Sequence, residues 1–500
     1  MREPRLRADP MRHAVSPYLL TLATLWLAAP ASGQSARSED NRLRLDPGID
    51  RRTTPQDREA IEGGSSPDRI TIDGQVYSVG HNPDDLGRAL YLSVARKNWA
   101  DVRRFLPPYL ALARHDPMLV AWARGGLARS DGRLGEAERQ YRALLAIQPD
   151  FLPGRLELGR VLFENRKDRE ARRLFRAIRE ELAGQGEQAA GVRRTVDTFL
   201  AALDRRGGWQ GMIAAGPGYS SNLNQTSASQ TCLLVGVDGT CLIDRTLPPA
   251  IASVGLNVEG SVSRRFALKG QGGLLARAFV YGDLWPGHGA FDQATLTAQI
   301  GYDHQTARRS LTLSPTIDLA SLGDRLLYTA PGLRVEAMVT PSPDTALRLE
   351  VARRVFDYRR SFDDLDGALT EASLTGWWSR PRGWTLFAGI EAGDKQAGER
   401  ANTYRHVGAR LGVVHGFADW AELTLIGSVR QRDYGAYSAL LEAVRHDREA
   451  NLTAVLRLPK LRLAGLTPNI LLQHNRVKSN VDWLYSFHRT AASIRLEHAF

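Results

Sequence analysis

The sequence predicts an α+β multidomain protein, in which an N-terminal helical repeat domain precedes an antiparallel transmembrane β-barrel of about 14 strands. From Asp85 to about Asp204 the apolar residues recur with a helical period, and the pattern repeats after 34 residues. Beyond Arg205 the period changes to two and stays there to the last residue. These alternating segments reach roughly ten residues, the length that a tilted strand needs to cross the hydrocarbon layer.

The first 33 residues have the pattern of a secretory signal peptide. Four arginines between positions 2 and 12 precede an apolar run over residues 18–29, and the small residues Ala31, Ser32 and Gly33 follow it. A charged segment, a short apolar segment and a small-residue cleavage site are typical of such signals, although an uncleaved anchor is the alternative. Residues 34–68 are polar and have no period, which predicts a flexible linker. The chain is therefore expected to be exported.

Residues 69–204 are predicted to form a small hairpin followed by helices. The stretch RITIDGQVYSVG has β-branched residues on both sides of Asp73-Gly74, a pair that favours a two-residue hairpin turn. The sequence Asn82-Pro83-Asp84-Asp85 follows, with a capping side chain, a proline for the first turn and two acids. This combination predicts the beginning of a helix.

The helical part resembles tetratricopeptide repeats (TPRs). Ala137 and Tyr141 recur 34 residues later as Ala171 and Phe175. A 34-residue period with a small residue and an aromatic residue at fixed positions is the TPR pattern, although a generic helical bundle is the alternative. The alanines are expected to let paired helices approach, and the aromatic rings to fill the groove between units. Residues 86–117 align poorly with this pattern and are expected to form a capping or degenerate repeat.

The second half of the chain is predicted to be a barrel over residues 205–500. Short connections such as TARR and PSPD alternate with longer ones such as LWPGHGAF and YGAYSALLEAVR (434–445), as in outer-membrane barrels. A soluble β-sandwich, whose strands also alternate, is the alternative. The predicted strands begin near Trp209, Val254, Gly272, Phe291, Ser310, Leu326, Thr345, Ala368, Trp384, Tyr404, Trp420, Arg448, Thr467 and Ser486. The count of 14 is most sensitive to a merged or split strand near Tyr328 to Val339, where Pro331-Gly332 interrupts the run.

The cysteines and the net charge narrow the possible partners. Cys232 and Cys241 are nine positions apart, and in an oxidising compartment they predict a disulfide that closes a local loop. A metal site is less favoured, because no His or second Cys pair lies nearby at ligand spacing. The formal net charge of +11 is carried mainly by Arg. No block of basic residues interleaved with aromatic residues accompanies this charge, so we expect no nucleic-acid partner.

No catalytic pattern stands out in the sequence. It contains no HExxH, no GxSxG and no Walker loop, and its 11 histidines are scattered. We therefore predict no catalytic, cofactor-binding or metal-binding residues, and a protein that is not an enzyme. Asp363, Asp364 and Asp366 lie together in a predicted outer loop, where a solvated loop is favoured over a calcium site.

The order of these parts resembles the surface lipoprotein assembly modifier family. The likeness lies in IDGQVYSVG (72–80), in residues 84–109, in GPGYSSNLNQTSAS (216–229) and in residues 466–500. It implies a protein of the outer membrane in a Gram-negative-type envelope, which helps to deliver lipoproteins or secreted clients to the cell surface. It also implies a TPR domain in the periplasm that engages a client or chaperone, and a barrel that provides the path. The implied partners are outer-membrane lipid, the client and, during biogenesis, the barrel-assembly machinery.

One segment near the beginning of the barrel sequence differs from the family pattern, and the last residues of the barrel resemble an assembly signal. The segment 222–249, with its cysteine pair, departs from the family pattern, so the resemblance does not specify the identity of the client. Phe500, with Leu496 and Ile494 on the lipid face, is similar to the terminal signal that the assembly machinery reads. A passive or polysaccharide-export porin with a periplasmic TPR adaptor is the alternative function, and a structural scaffold is a third.

Overall fold

The structure is a computed structural model that describes residues 69–72, 75–235, 237–380, 383–418, 420–439 and 441–500. The predicted signal peptide (1–33) and linker (34–68) lie outside the described residues. Strand β1 (Arg69–Ile72) pairs with β2 (Gln75–Ser78) in an antiparallel hairpin, in agreement with the β-branched pattern of this stretch. The helical part and the barrel follow in that order, as predicted.

Seven helices form three consecutive pairs and a final longer helix. Their bounds are α1 (Pro83–Ala95), α2 (Trp99–Ala111), α3 (Pro117–Ser130), α4 (Leu134–Ile147), α5 (Leu152–Glu164), α6 (Asp168–Glu181) and α7 (Ala190–Gly207). The Asn82 side chain accepts a hydrogen bond from the Asp85 N–H and caps α1. None of the helices in the described ranges is long and apolar enough to cross a membrane.

In each helix pair, an aromatic ring of the second helix packs against a glycine of the first helix. A Cβ atom at Gly125 would lie 2.9 Å from the ring of Tyr141, and one at Gly159 would lie 2.7 Å from the ring of Phe175. The first pair has the same arrangement, since a Cβ at Gly87 would lie 3.4 Å from the ring of Tyr109. Residues 86–117 are thus a unit of the same kind as the other two pairs.

The final helix completes the stack. Val196, Leu200 and Leu203 of α7 are buried in the core that α4, α5 and α6 share. The ring of Phe199 stacks on that of Phe175, with 4.8 Å between their centroids. The helix therefore covers the apolar face that the third pair would otherwise expose.

Fourteen antiparallel strands form a closed barrel, which confirms the predicted fold class. They are β3 (Gln210–Ser220), β6 (Ser253–Ala267), β7 (Gly272–Leu284), β8 (Gln293–Gln305), β9 (Arg309–Leu322), β10 (Arg325–Ser342), β11 (Thr345–Tyr358), β12 (Gly367–Arg380), β13 (Trp384–Ala397), β14 (Tyr404–Phe417), β15 (Ala421–Ser438), β16 (Ala443–Arg457), β17 (Thr467–Ser479) and β18 (Phe487–Ala499). Strands β4 (Gln230–Val235) and β5 (Cys241–Thr246) form a separate hairpin between β3 and β6.

The alternation along the strands separates an apolar outer face from a polar interior. In β11, Leu347, Leu349 and Val351 are exposed on the outer face, whereas Arg348 and Glu350 are buried inside. Nearly all predicted strand starts agree with the structure, because alternation locates a strand without knowledge of its partners.

One stretch of the barrel differs from the prediction. β15 continues to Ser438 and β16 begins at Ala443, so the predicted start at Arg448 and the predicted loop over 434–445 are wrong. The strands extend further because Tyr434 points inward and the guanidinium of Arg445 lies 4.6 Å from the centre of its ring. The strand is neither merged nor split at Pro331-Gly332, since β10 is continuous through both residues and the count of 14 stands.

Candidate functional site

Paired charges fill the interior of the barrel on the β9–β12 side. Arg354 lies between Asp318, at 3.0 Å, and Glu371, and the side chains of all three are only 1% exposed. Nε of Arg334 lies 3.2 Å from the Glu350 carboxylate. Arginines that line a wide aqueous channel would be wetted, whereas these are among the largest fully buried side chains of the described residues. They therefore pack the barrel with protein atoms at their levels.

The adjoining part of the interior, at β13–β15, and the part near β18 are filled in the same way. Glu391 accepts hydrogen bonds from both Arg410 and Arg430. Next to the strand that closes the barrel, Arg495 donates to Glu259 over 2.7 Å and to Asn469 over 2.9 Å. Charge pairs of this kind are stable in a low-dielectric interior only when both partners are present. The interior is thus a packed ionic network in this conformation.

The helical domain is fixed to one end of the barrel, which we call the helix end; the opposite end is the loop end. In the β6–β7 turn, the Gly270 N–H donates to Glu170 over 2.8 Å, and the Gln271 amide donates to Asn165 over 2.8 Å. Ala307, in the β8–β9 turn, packs against the apolar core of the helices. Two neighbouring turns of the barrel therefore hold the third helix pair.

Asp168 is the centre of this junction. Its carboxylate lies 2.5 Å from Arg206 of α7 and 3.6 Å from Arg265 of β6. Arg265 in turn lies 2.5 Å from Asp303 inside the barrel. Asp168 and Arg265 are both largely buried, which makes these ion pairs less screened than surface pairs. One chain of charges thus connects the helices with the barrel interior.

Three aromatic side chains form a row across α1, α3 and the residue that precedes α5. The ring centroids of Tyr91 and Trp122 are 5.5 Å apart, and those of Trp122 and Phe151 are 5.9 Å apart. Tyr91 is 52% exposed, and the other two rings are half-buried. Aromatic residues at a partly exposed surface offer large apolar contact area to a partner. We call Tyr91, Trp122 and Phe151 the aromatic row.

The β4–β5 hairpin lies on the loop end and is attached to the β17–β18 connection. The structure joins Cys232 and Cys241 by a disulfide, with 5.7 Å between their Cα atoms. The Ser229 hydroxyl donates to the Trp483 carbonyl over 2.7 Å, and the Arg245 guanidinium lies 3.4 Å from the centre of the Trp483 ring. Trp483 belongs to the short helix α8 (Asp482–Tyr485). Asp238-Gly239, a hairpin signal between the cysteines, could have indicated these strands.

The other residues singled out in the sequence have definite positions. Ala137, Tyr141, Ala171 and Phe175 are all buried in one core of the helical domain. Leu496 and Ile494 are exposed on the outer face of β18, and Phe500 exchanges two backbone hydrogen bonds of 3.0 Å with Gly211. The helical residues and the terminal residues thus lie in separate parts of the fold.

The acidic loop has partners from the protein itself. Asp366 accepts from the Tyr358 N–H over 2.6 Å, and Asp364 accepts from the Asn402 amide over 2.7 Å. Across the part of the chain that the structure describes, no group of three or more His, Cys, Asp or Glu residues could hold a metal ion. The acids therefore stabilise a loop between strands.

Sequence reasoning missed the ionic network of the interior. A signal was present, because charged residues recur at inward positions, as in Arg445-x-Asp447-x-Glu449. Alternation predicts that such residues face inward, but their partners depend on the register of strands far apart in sequence.

Comparisons with known proteins give two matches to family models. Residues 209–500 match the family described as surface lipoprotein assembly modifier, and residues 74–175 match its N-terminal TPR repeats. The "Hemophilin secretion modulator" of Acinetobacter baumannii is 36% identical over 478 residues, which cover 92% of this chain and 96% of that protein. "Surface lipoprotein assembly modifier 1" of Neisseria meningitidis serogroup B is 26% identical, with 97% of this chain and 96% of that protein covered.

Proposed function

This chain belongs to the surface lipoprotein assembly modifier family, and from that membership we propose that it delivers a client protein to the cell surface across the outer membrane. The helical domain engages the client, or a chaperone that carries it, in the periplasm. The barrel supplies the crossing. The client is a surface lipoprotein or a secreted protein of the kind named in the descriptions of the relatives. During its own biogenesis the chain is a substrate of the barrel-assembly machinery.

The observation that carries this proposal is the attachment of the helical domain to the turns of the barrel. Glu170, Asn165 and Asp168 contact the β6–β7 turn and the adjacent strand, so the aromatic row stays at a fixed place relative to the helix end. A client bound to the helices is thereby kept at high effective concentration beside the barrel. Repeat domains of this kind present extended binding surfaces.

The lengths of the connections support a periplasmic position of the helical domain. The turns that contact the helices are short, and the connection with the β4–β5 hairpin leaves from the opposite end of the barrel. Outer-membrane barrels have short turns in the periplasm and longer loops outside. The helices would then meet a client before it crosses the membrane.

The porin alternative fits the barrel interior less well. Diffusion through a porin requires a water-filled lumen, and here Arg354, Arg334 and Arg495 are buried among carboxylates and amides. Export of a polysaccharide would need the same open path. Delivery of a protein client, which can involve a rearrangement of the barrel, is compatible with a packed resting state.

The proposal is tested by the variant Tyr91→Ala, produced with A. baumannii hemophilin as the probe client. Loss of an exposed ring of the aromatic row is expected to lower the amount of hemophilin outside the cell several-fold. Tyr437→Ala is the matched control, since Tyr437 is 62% exposed but lies at the loop end of β15. Equal hemophilin release by both variants and the parent chain would contradict a client role of the aromatic row.

A further inference from the structure

The wall of the barrel has one contact that differs from all the others, between β3 and β18. We propose that this seam opens sideways and that an extended segment of the client pairs with the exposed edges of β3 and β18 while it crosses. The inference rests on the proposed function, because it assigns the route that the client takes. The partner chemistry is that of an unfolded polypeptide strand with alternating apolar and polar side chains.

The interior of the barrel offers the client no ready route in the closed state. A chain that passed through the interior would have to separate Arg354 from Asp318 and Glu371, and Arg430 from Glu391. Each separation leaves a buried charge without its partner, which is strongly unfavourable. An opening between β3 and β18 separates Arg495 from Glu259 but leaves the pairs of Arg354 and Arg430 intact.

The topology of the barrel distinguishes the β3–β18 contact from the other strand contacts. In the described strands, every other neighbouring pair of the barrel follows in sequence and is joined by a turn or loop at one end. β3 and β18 are the first and last strands of the barrel, and no turn connects them. They are held together by non-covalent contacts alone, so this pair can separate along its whole length.

The backbone ladder of the seam is short and interrupted. The register pairs Ala491–Ser493 with Gly218–Ser220 and Leu496–Ala499 with Met212–Ala215, and it lacks the pairs between them. The flanking contacts, β17–β18 and β3–β6, have continuous registers. The gap falls where Ile494 faces Pro217, which has no N–H to donate to the Ile494 carbonyl.

Proline also interrupts two other registers, and the comparison is informative. Pro315 lies at a gap in the β8–β9 register, and Pro331 lies at a gap in the β10–β11 register. Both of these strand pairs are joined by a short turn at the helix end. A missing hydrogen bond therefore weakens them locally, whereas at the seam it weakens the contact that has no covalent connection.

The edges of the seam match an alternating strand. On the outer face, Ile494 is 62% exposed and Tyr219 is 43% exposed, whereas Arg495 and Ser493 point inward. A client segment that added between β3 and β18 would find backbone donors and acceptors on both sides, an apolar surface outside and a polar one inside. This is the pattern of strand addition, in which backbone bonds give affinity and alternate side chains give specificity.

The seam also lies directly beside the helical domain. Only Gly208 and Trp209 separate α7 from β3, and Arg264 of β6 donates to the Gly207 carbonyl over 3.0 Å. In the closed state, the reciprocal Phe500–Gly211 bonds and the 2.9 Å bond from the Ser221 N–H to the Thr490 carbonyl hold the two ends of the seam.

A reversible cross-link tests the proposal in the full chain. A Cβ atom at Gly218 would lie 3.6 Å from the Cβ of Ser493, and one at Gly282 would lie 3.8 Å from the Cβ of Ala294. Both separations suit a disulfide, for which Cβ atoms are about 3.8 Å apart. The double variant Gly218→Cys with Ser493→Cys locks the seam. The variant Gly282→Cys with Ala294→Cys locks the β7–β8 pair, which is joined by a loop, and is the matched control.

The expected result is that the oxidised seam variant releases at least tenfold less A. baumannii hemophilin than the oxidised control, and that a reductant restores release. The reductant also opens the Cys232–Cys241 bond, but it does so equally in both variants. Full release by a cross-linked seam, with barrel assembly verified by heat-modifiable migration in gels, would overturn the proposal while leaving the proposed function in place.

Hydrogen exchange of the purified parent chain gives a readout that needs no client. If the seam opens, the amides of β18 exchange faster than those of β7 and β8, although all three strands lie in the same wall. Equal protection of these strands would also overturn the inference. Absence of hemophilin release by the parent chain would instead count against the proposed function for that client. Hydrogen exchange would then be the measurement that shows whether the contact between β3 and β18 opens.

Discussion

Asp168 shows how one carboxylate can join two parts of the molecule. It lies between Arg206 of α7 and Arg265 of β6, so its charge is shared by the helices and the barrel. Replacement by Asn keeps the shape and removes that charge. The expected result is a weaker attachment of the helical domain.

The prediction for Asp168→Asn is faster hydrogen exchange in residues 268–271 and at the beginning of α6. The matched control is Asp197→Asn, because the Asp197 side chain is 57% exposed and its nearest Arg179 nitrogen is 3.9 Å away. Unchanged protection in the Asp168 variant would show that the backbone and amide contacts alone hold the junction.

Glu138 predicts a pH dependence of the helical domain. Burial raises the pKa of its carboxyl, but hydrogen bonds from Lys167 and Arg142 outweigh burial, and the pKa is lowered overall. A lowered folded-state pKa contributes stability that is present above the unfolded value, about 4.3 for Glu, and is lost as the pH falls through the folded-state pKa. Glu138→Gln should therefore flatten the loss of helical thermal stability below about pH 4.3. An unchanged acid profile in circular dichroism melts would contradict this assignment.

At the level of single residues, a bond between cysteines that are close in sequence was easier to predict than a contact between distant loops. The spacing of Cys232 and Cys241 suggested a local bond, and the structure contains one. The contact of the same hairpin with Trp483 could not be predicted, because it joins loops that come together only when the barrel closes. Local pairing follows from chain proximity, whereas this contact depends on the whole topology.

Each turn within a helix pair contains one residue whose backbone has the left-handed conformation, with a positive φ angle. The φ angles are 57° at Lys97, 74° at Gly132 and 60° at Arg166, one in each turn. Glycine adopts this conformation without the steric cost that a Cβ atom imposes. The sequence supplied glycine at only one of the three turns.

Lys97→Gly is therefore expected to stabilise the first helix pair by up to about 1 kcal/mol. Lys97 is exposed, so the substitution removes no buried contact. The measurement is slower hydrogen exchange in α1 and α2 of the full chain. Arg96→Gly is the control, because Arg96 has right-handed backbone angles and glycine there should destabilise the helix end. The opposite order of the two variants would disprove the strain argument.

The strands were predictable as elements because each has its own two-residue period. β7, β11, β13, β14 and β17 begin at the predicted residue. β16 begins before the predicted Arg448. Tyr434 and Arg445, at the two ends of the predicted loop, are strand residues whose side chains pack against each other inside the barrel. Residues of mixed polarity become strand residues when they have partners in the interior.

At the scale of the whole molecule, the filled interior predicts little ion conductance. The chain reconstituted in a planar bilayer should show much less conductance than an open barrel of 14 strands, because Arg334, Arg354 and Arg495 are packed among their partners. Steady, large single-channel conductance by the resting protein would contradict a packed interior and would favour the porin alternative.

The fold as a whole was predictable from the sequence, but the candidate sites were only partly so. The helical repeats, the closed barrel and its strand number follow from two periods of apolar residues. The ionic network and the junction at Asp168 depend on which strands and turns become neighbours, and no local pattern specifies that. Resemblance to a family suggested the function, while the geometry suggested a route.

The pairing of β3 with β18 also constrains the order in which the protein matures. Met212 meets Ala499 only after every strand between them has been synthesised and exported, so ring closure is a late, high-contact-order event. The helix pairs depend on contacts between neighbours in sequence and can form much earlier. A folded helical domain would then already stand beside the two unjoined edges while the nascent wall is still a curved, open sheet.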